Sequence, residues 1–217
     1  FKTRLEEKRY GNEAVERYGY IQALLRDKKA HQANTELNRL YQLLQTDPSA
    51  SVLSNHVLGK PIRVEYKQII AGAMMETLAA DVLVANGKTA EAMNTYQRAL
   101  KVYPQHRALS HGYARTLIQN KKPQVALEFI NNQLQFIQND AQLFGLQAQC
   151  YELLGDKMLE HGAQAEVYFH KGHYGAAIDQ LKTALQNDNG NFYQLSSIEA
   201  RLKQLQTLKS DEEKSEK

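Results

Sequence analysis

Apolar residues between positions 73 and 104 recur with the spacing of two amphipathic helices. The second half of this segment places Ala92, Tyr96 and Ala99 on one helical face, four and three residues apart. Gly87 lies between the halves, where a tight turn requires a positive φ, and Pro104 follows the end of the segment. The segment therefore predicts two helices that pack together as a hairpin.

The hairpin pattern returns along the chain at a constant interval. Four positions repeat. A small residue of the first helix lies at Ala80, Ala114 and Ala148, and a larger residue follows at Leu83, Leu117 and Tyr151. The turn lies at Gly87, Lys121 and Gly155, and an alanine of the second helix lies at Ala92 and Ala126. The interval is that of the tetratricopeptide repeat, about 34 residues, and the pattern resembles that repeat. The resemblance implies a stack of helical hairpins.

The N-terminal part of the chain fits a first, longer repeat unit. Asn12 is a good N-cap for its first helix, and Ala33 takes the position of the second-helix alanine. Residues 49–72 do not fit the period, because Pro61 can open a helix but cannot lie inside one. We expect an irregular insertion there, with residues 62–72 running on into the next repeat helix.

The C-terminal part departs from the period by half a repeat. Regular repeats span residues 73–104 and 105–139, but Gly172 follows the turn at Gly155 after only half of the repeat interval. The helix between these glycines, at about residues 157–170, is therefore expected to serve two hairpins. Beyond a turn at residues 187–190, one more helix would cover the last apolar face of the array with Leu195, Ile198, Leu202 and Leu205.

These patterns together predict an all-α fold, a tetratricopeptide-like helical-hairpin solenoid with a terminal capping helix. The expected organisation is a lead-in from an upstream region at residues 1–10, the repeat domain at residues 11–208, and a disordered charged tail at residues 209–217. The chain begins at Phe1 rather than Met, which suggests a piece excised from a longer protein.

Composition excludes several classes of function. A net charge of +3 from 27 basic and 24 acidic residues is too balanced to indicate nucleic-acid binding. No apolar run approaches the roughly 20 residues of a membrane span. The single cysteine, Cys150, cannot form an internal disulfide and lies on the inward half of a repeat helix. We expect a buried, inert thiol there rather than a reactive one.

The sequence offers little catalytic chemistry. It contains no His-Glu-x-x-His helix, no Gly-x-Ser-x-Gly elbow and no glycine-rich phosphate loop. His170 and His173 are the closest pair of histidines, but they straddle the predicted turn, so exposed turn histidines are favoured over a metal site. We expect this chain to have no catalytic activity, no cofactor and no metal site.

A stack of helical hairpins presents a concave surface lined by the first helix of each pair. Polar side chains with a few aromatic anchors are expected there, a set that suits a polypeptide segment better than a small molecule. The predicted lining is Tyr18, Gln22, Arg26, Met74, Thr77, Asp81, His111, Arg115, Gln119, Gln149, Glu152, Glu166, Phe169 and His170. Polar residues also cover the solvated face of any helix, so this alternative stays open for each residue.

Residues 160–205 resemble the C-terminal end of BepA-type periplasmic metalloproteases. The family's A-x-x-Y-x-x-x-G hairpin is matched by Ala165, Tyr168 and Gly172, and its final A-R-[IL]-x-x-L helix is matched at residues 200–205. Weaker similarity extends back to about Val15, and residues 49–72 depart most from the family.

This resemblance implies a parent protein with an N-terminal zincin domain that holds zinc, and with a C-terminal tetratricopeptide region. The chain would then be the non-catalytic arm of a periplasmic protease and chaperone. Its partners would be the outer-membrane assembly machinery, immature or misassembled β-barrel proteins and its own protease domain. The alternative is a stand-alone tetratricopeptide scaffold or co-chaperone. A His-Glu-x-x-His helix upstream of Phe1 would distinguish the two.

Overall fold

The computed structural model describes residues 1–46, 64–187 and 191–215. Within these ranges the chain forms eleven α-helices and no β-strand. The helices are α1 (Lys2–Glu6), α2 (Glu13–Arg26), α3 (Ala30–Thr46), α4 (Val64–Ala85), α5 (Thr89–Val102), α6 (Arg107–Gln119), α7 (Pro123–Leu134), α8 (Ala141–Leu154), α9 (Lys157–His170), α10 (Tyr174–Gln186) and α11 (Phe192–Ser215). None of them is long and apolar enough to cross a membrane.

One type of helix end recurs along the chain at the predicted turns. At Gly155 the chain adopts a left-handed conformation, with the Asp156 amide donating to the Tyr151 carbonyl and the Gly155 amide donating to the Glu152 carbonyl. These are the two hydrogen bonds of a Schellman motif. The same bond pattern and positive φ recur at Lys28, Gly87, Lys121 and Gly172. The predicted turn positions are therefore confirmed, including the half-repeat step at Gly172.

Side-chain caps define several helix starts. Asn12 accepts a hydrogen bond from the Val15 amide, as predicted, and Asp156 accepts one from the Leu159 amide at the start of α9. Asn191 and Gln194 bond each other's amides reciprocally in a capping box at the start of α11. Local sequence thus sets where these helices begin as well as where they end.

The chain divides into two compact units, residues 1–116 and residues 117–217. Unit 1 contains α1 to α5 and most of α6, and its apolar core joins α2, α3 and α4. Small buried residues, such as Ala14 and Ala33, let these helices approach closely, while Ile21, Leu40 and Leu78 fill the space between them. The α4–α5 pair is the hairpin predicted from residues 73–104.

The predicted lead-in at residues 1–10 contains α1, which packs on α2. The Phe1 ring lies against the backbone at Gly19, where a Cβ atom would meet the ring at 2.6 Å. Arg4 Nε lies 3.3 Å from Glu16 Oε1. These residues are therefore part of unit 1.

In unit 2, α9 packs against both α8 and α10, so the prediction that one helix serves two hairpins is confirmed. The core joins α9, α10 and α11 through Met158, Ala165, Leu181 and Leu205, all fully buried or nearly so. Ile198 is buried in the same core, and Leu195 and Leu202 pack against it. The final helix thus covers the last apolar face, as expected.

One expectation about the irregular segments needs correction, and another is confirmed in part. Residues 209–215, predicted to be disordered, continue α11 as far as Ser215. Extending an existing helix through good helix formers costs much less than nucleating one, and Lys214 pairs with Asp211 at 3.4 Å. Of the predicted insertion, residues 64–72 belong to α4 and residues 49–63 lie outside the described residues. Part of the predicted turn at residues 187–190 also lies outside them, and the single domain at residues 11–208 stays a prediction.

Candidate functional site

In unit 1, a buried tyrosine of α5 supports a carboxylate of α4. The Tyr96 hydroxyl donates a hydrogen bond of 2.5 Å to Asp81 Oδ1. Tyr96 is only 1% exposed, whereas Asp81 is partly exposed. Tyr18 of α2 and Arg115 of α6 lie close enough to interact electrostatically with Asp81. We call Tyr18, Asp81, Tyr96 and Arg115 the Asp81 cluster.

A close helix approach fixes the position of Tyr96. At Gly112 of α6, a Cβ atom would lie 2.5 Å from the Tyr96 hydroxyl oxygen and 2.7 Å from two ring carbons. Only glycine leaves room for the ring at this position. The Tyr113 ring lies 6.3 Å from the Tyr96 ring, and Gln97 Nε2 donates to the Tyr113 hydroxyl. The ring that holds Asp81 is therefore itself tightly held.

Burial dominates the electrostatics of this cluster. Desolvation raises the pKa of Asp81, although the hydrogen bond from Tyr96 and the charge of Arg115 both act to lower it. Burial and the negative charge of Asp81 raise the pKa of both Tyr96 and Tyr18. The unit thus places a carboxylate where its charge is only partly compensated.

Three predicted lining residues from separate helices are brought together in this cluster: Tyr18, Asp81 and Arg115. Gln22 donates a hydrogen bond of 3.2 Å to the Tyr18 hydroxyl. Of the other predicted residues on α2, α4 and α6, Arg26 and Gln119 are exposed, and the partly buried ones are Met74, Thr77 and His111. Apolar spacing places Tyr96 on the packing face of its hairpin but does not reveal its hydrogen bond to Asp81, because a buried tyrosine has the same spacing as any core residue.

Unit 2 contains a cleft of about 220 Å³ between α8, α9, α10 and α11. Gly162 and Ala163 of α9 line it together with apolar side chains that include Leu159 and Ile198. A Cβ atom at Gly162 would have only one ordinary contact, with Ile198 at 3.8 Å, so the missing side chain leaves the cleft open. Its polar lining residues are Gln147, Tyr151, Glu166, Ser197 and Arg201.

An ion pair between α9 and α11 borders this cleft. Arg201 donates to both Glu166 oxygens, from Nε at 2.7 Å and from Nη2 at 2.6 Å. Its guanidinium carbon also lies 4.3 Å from the centre of the Phe169 ring. The His170 ring stacks on Phe144 at 5.2 Å, with Nε2 at 3.9 Å from Glu166 Oε2. We call Phe144, Glu166, Phe169, His170 and Arg201 the Arg201 cluster.

This cluster changes the interpretation of three predicted lining residues. Glu166 and Phe169 are occupied by Arg201 of the chain's own final helix, and His170 is stacked within the unit. Glu166 and Phe169 fasten the capping helix, and of the three residues only Glu166 also lines the cleft. Truncation of Phe169 should therefore lower the stability of unit 2 rather than only weaken the binding of a partner.

On α8 the cleft is lined by a different face from the predicted one. Gln147 and Tyr151, four residues apart, line the cleft, whereas the predicted Gln149 and Glu152 are exposed elsewhere on the helix. The repeat period gives the position of α8 but not its rotation, which follows from packing on both α7 and α9. Arg201 had a signal in the sequence, since it belongs to the motif at residues 200–205.

The remaining candidate groups from the sequence are two histidines and the cysteine, and the fold shows where each of them lies. His173 precedes α10 and is exposed, while His170 lies in the Arg201 cluster. The described residues contain no group of three side chains arranged to hold a metal ion. Cys150 is 0% exposed, and burial raises the pKa of its thiol to about 11. The expected burial of this thiol is therefore confirmed, and a thiol with that pKa is almost entirely protonated at neutral pH.

Comparisons with known proteins found a family match and similar solved structures. Residues 83–150 match the tetratricopeptide repeat family model. The solved structure of the MamA RS-1 ArsTM double mutant is similar with 13% identity and a TM-score of 0.49, over 93% of this chain and 99% of that chain. MamA residues 41 to the end, from Desulfovibrio magneticus RS-1, are similar with 16% identity and a TM-score of 0.40, over 95% and 98%. No curated protein matches this chain.

The recurring Schellman turns and the family match lead to the same conclusion. The turns at Gly87, Lys121 and Gly155 lie one repeat period apart, and residues 83–150 match the tetratricopeptide repeat. Helical repeats of this kind present extended surfaces on which other polypeptides bind. The chain therefore has an all-α, tetratricopeptide-like fold, which is typical of a protein-interaction domain.

Proposed function

We propose that this chain is a non-catalytic domain that binds an extended segment of another polypeptide. The observation that carries the proposal is the cleft of unit 2, whose lining combines apolar residues, which we call its floor, with more exposed polar residues, which we call its rim. Pockets for small molecules usually have volumes of about 300–1,000 Å³ and enclose their ligand. A cleft of about 220 Å³ matches one or two side chains of a longer ligand better than a whole small molecule.

The floor of the cleft suits an apolar side chain. Gly162 and Ala163 contribute almost no side-chain bulk, while Leu159, Leu181 and Ile198 provide apolar surface. Burying an aliphatic or aromatic side chain there would remove apolar area from water on both partners. We therefore expect a Leu, Met or Phe of the bound segment to be its anchor.

The rim of the cleft suits the peptide backbone beside that anchor. Gln147 Nε2 donates to Asn131 Oδ1 at 2.8 Å, which holds the Gln147 amide in one orientation. Ser197 lies across the cleft on α11 and is exposed. An extended segment carries alternating amide donors and carbonyl acceptors, so oriented amide and hydroxyl groups can bond it without regard to its side chains.

We further propose a specific setting for this domain, supported by the resemblance of residues 160–205 to BepA-type proteins. In that setting the parent is a periplasmic zinc metalloprotease with its zinc in an upstream domain. This chain would recruit the outer-membrane assembly machinery or misassembled outer-membrane proteins for quality control, and would also contact its own protease domain. Arg201 supports this setting, because the motif residue is the one that fastens the final helix.

The alternative setting is a stand-alone scaffold or co-chaperone with the same binding surface. It differs from the protease setting in what precedes Phe1 in the natural gene product. Mass spectrometry of the protein isolated from its native cells tests this point directly. Peptides from an upstream segment with a His-Glu-x-x-His motif support the protease setting, and a mature protein without one supports the scaffold.

Site-specific photo-cross-linking tests the binding function itself. A photo-reactive residue at Ser197, in the cleft, is compared with one at Gln206, which is exposed further along the same helix. We expect Ser197 to capture polypeptides from intact cells, among them unfolded or assembling outer-membrane proteins, and Gln206 to capture few. Equal labelling at the two positions would show that the cleft is not the binding surface.

A further inference from the structure

Asp81 differs from the other partly buried carboxylates of unit 1. Glu36, whose side chain is 10% exposed, and Glu13 each contact the Arg17 guanidinium directly, at 2.5 and 2.6 Å. Asp81 accepts one hydrogen bond, from the neutral Tyr96 hydroxyl to Oδ1. Within the described residues no basic group makes a direct ion pair with it. Its charge is therefore desolvated without the compensation that its neighbours have.

Among the described residues, the groups around Asp81 do not supply a second hydrogen-bond donor to its carboxylate. The Thr77 hydroxyl, one helical turn away, donates to the Ala73 carbonyl at 2.8 Å. Arg115 acts on Asp81 only through space, and its side chain is exposed to solvent, where charges are screened. Oδ2 thus offers an acceptor position that a ligand can use.

The position of Asp81 is also accurately fixed. Tyr96 is buried, hydrogen-bonded to Oδ1 and held against Gly112. A carboxylate anchored in this way loses little further conformational freedom when a ligand binds. Tyr18 lies close enough to Asp81 to interact with its charge but makes no ion pair with it.

We infer that Asp81 binds a cationic side chain, Lys or Arg, of the polypeptide that this domain captures. The inference rests on the proposed function, because it concerns the same class of ligand. It adds a charge requirement that the cleft of unit 2 does not impose. A lysine ammonium or arginine guanidinium would donate to Oδ2 while Tyr96 continues to donate to Oδ1.

The test selects ligands from a displayed library of random peptides. Wild-type protein, Asp81→Asn and the control Asp179→Asn are each used for selection, and selected peptides are then titrated against all three proteins. Asp179 is a suitable control because it loses the same charge from an exposed site in α10. In Asp81→Asn the new side-chain amide oxygen can still accept the Tyr96 hydrogen bond, and thermal melts check that the variant is folded.

We expect wild type and Asp179→Asn to select peptides with a Lys or Arg at a common position. Asp81→Asn should bind those peptides about tenfold more weakly, since the desolvated charge that holds the cation is gone. Acetylation of the selected lysine should weaken binding to the wild-type protein by a similar factor, which requires no protein variant.

The outcomes separate this inference from the proposed function. Peptides that bind the wild type without a common basic residue, or that bind Asp81→Asn equally well, would overturn the role of Asp81 and leave peptide binding established. Selection of no peptide at all by the wild type would contradict the proposed function, and the inference with it.

Discussion

Two glycines inside helices play opposite roles in this protein. Gly112 leaves room for the buried Tyr96 ring, whereas Gly162 faces open space apart from one ordinary contact. We expect Gly112→Ala to lower the free energy of unfolding by about 1–2 kcal/mol, because the clash outweighs the gain in helix propensity. Gly162→Ala should raise it by about 0.5–1 kcal/mol. Urea denaturation of both variants measures the difference, and equal effects would contradict the close approach at Gly112.

Phe169 tests the Arg201 cluster. Replacing it with Ala removes the ring below the Arg201 guanidinium and the contacts of that ring with the core of unit 2. We expect a loss of about 1–3 kcal/mol in stability. Phe136→Ala is the matched control, because Phe136 is 69% exposed and its loss should change stability by less than about 0.5 kcal/mol. A melting temperature unchanged in both variants would show that Phe169 is free for a partner.

The raised pKa of Asp81 has a consequence for stability. A carboxyl group with a higher pKa in the folded protein binds its proton more tightly there, so it favours folding below the unfolded pKa. That contribution is lost as the pH rises through the folded pKa. We therefore expect Asp81→Asn to be at least as stable as wild type at pH 7, with the two converging near the ordinary Asp pKa of 3.8. The pKa values of Tyr18 and Tyr96 are raised above the usual tyrosine value, so neither hydroxyl ionises in this range.

Denaturation of both proteins across this range, with Asp179→Asn as a control, provides the measurement. A wild type that is clearly more stable than Asp81→Asn at pH 7 would show that the Asp81 charge is compensated inside the protein. The role that we infer for Asp81 in binding a cation would then lose its basis.

At the scale of the helical element, one turn repeats with different residues. Gly87, Gly155 and Gly172 adopt a positive φ without strain, but Lys28 and Lys121 adopt φ of 58° and 57° with a Cβ atom present. The left-handed conformation costs a non-glycine residue about 1–2 kcal/mol. Glycine removes this cost, but it also gains conformational entropy in the unfolded chain, which offsets part of the benefit. We therefore expect Lys121→Gly to raise the free energy of unfolding by up to about 1 kcal/mol. Gly87→Lys should lower it, and thermal melts that rank the two variants the other way would contradict the assignment of the turn.

The same turns explain why the helices could be predicted from the sequence. Each Schellman motif fixes a helix end. At four of the five turns, all except Lys28, a small residue seven positions earlier is buried, as Ala80 is before Gly87. Apolar spacing then predicts the helix between two such turns, including α9. The charged end of α11 was missed because disorder was inferred from the absence of apolar residues, although good helix formers extend a helix without them.

The candidate sites were predictable only in part. Asp81 and Arg115 lie one period apart on first helices of the regular repeats, where the period also gives the rotation of each helix, and Tyr18 lies on the first helix of the longer N-terminal unit. In unit 2 the half-repeat step changes which faces of α8 and α9 are covered. The repeat register therefore predicts Gln149 and Glu152 instead of Gln147 and Tyr151. The contact between Phe169 and Arg201 does not follow from apolar spacing, because the two residues belong to different helices that are far apart in the sequence.

At the scale of the whole molecule, both compact units contribute to the tetratricopeptide match, which runs from residue 83 to residue 150 across their boundary. Each unit offers a different feature to a polypeptide. Unit 2 has an apolar cleft, and unit 1 has a fixed carboxylate that, among the described residues, has no direct cationic partner. We expect segments that bind to unit 2 to carry an apolar residue, and segments that bind to unit 1 to carry a cationic one.

The most direct test of polypeptide binding fills the cleft without unfolding the protein. A photo-reactive residue at Ser197 is introduced into Gly162→Ala and into Gly162→Leu, and captured polypeptides are compared in intact cells. Both substitutions favour the helix, but only the leucine side chain is large enough to occupy the cleft. We predict that capture continues in Gly162→Ala and is lost in Gly162→Leu. Undiminished capture in Gly162→Leu would show that the cleft does not hold the bound segment.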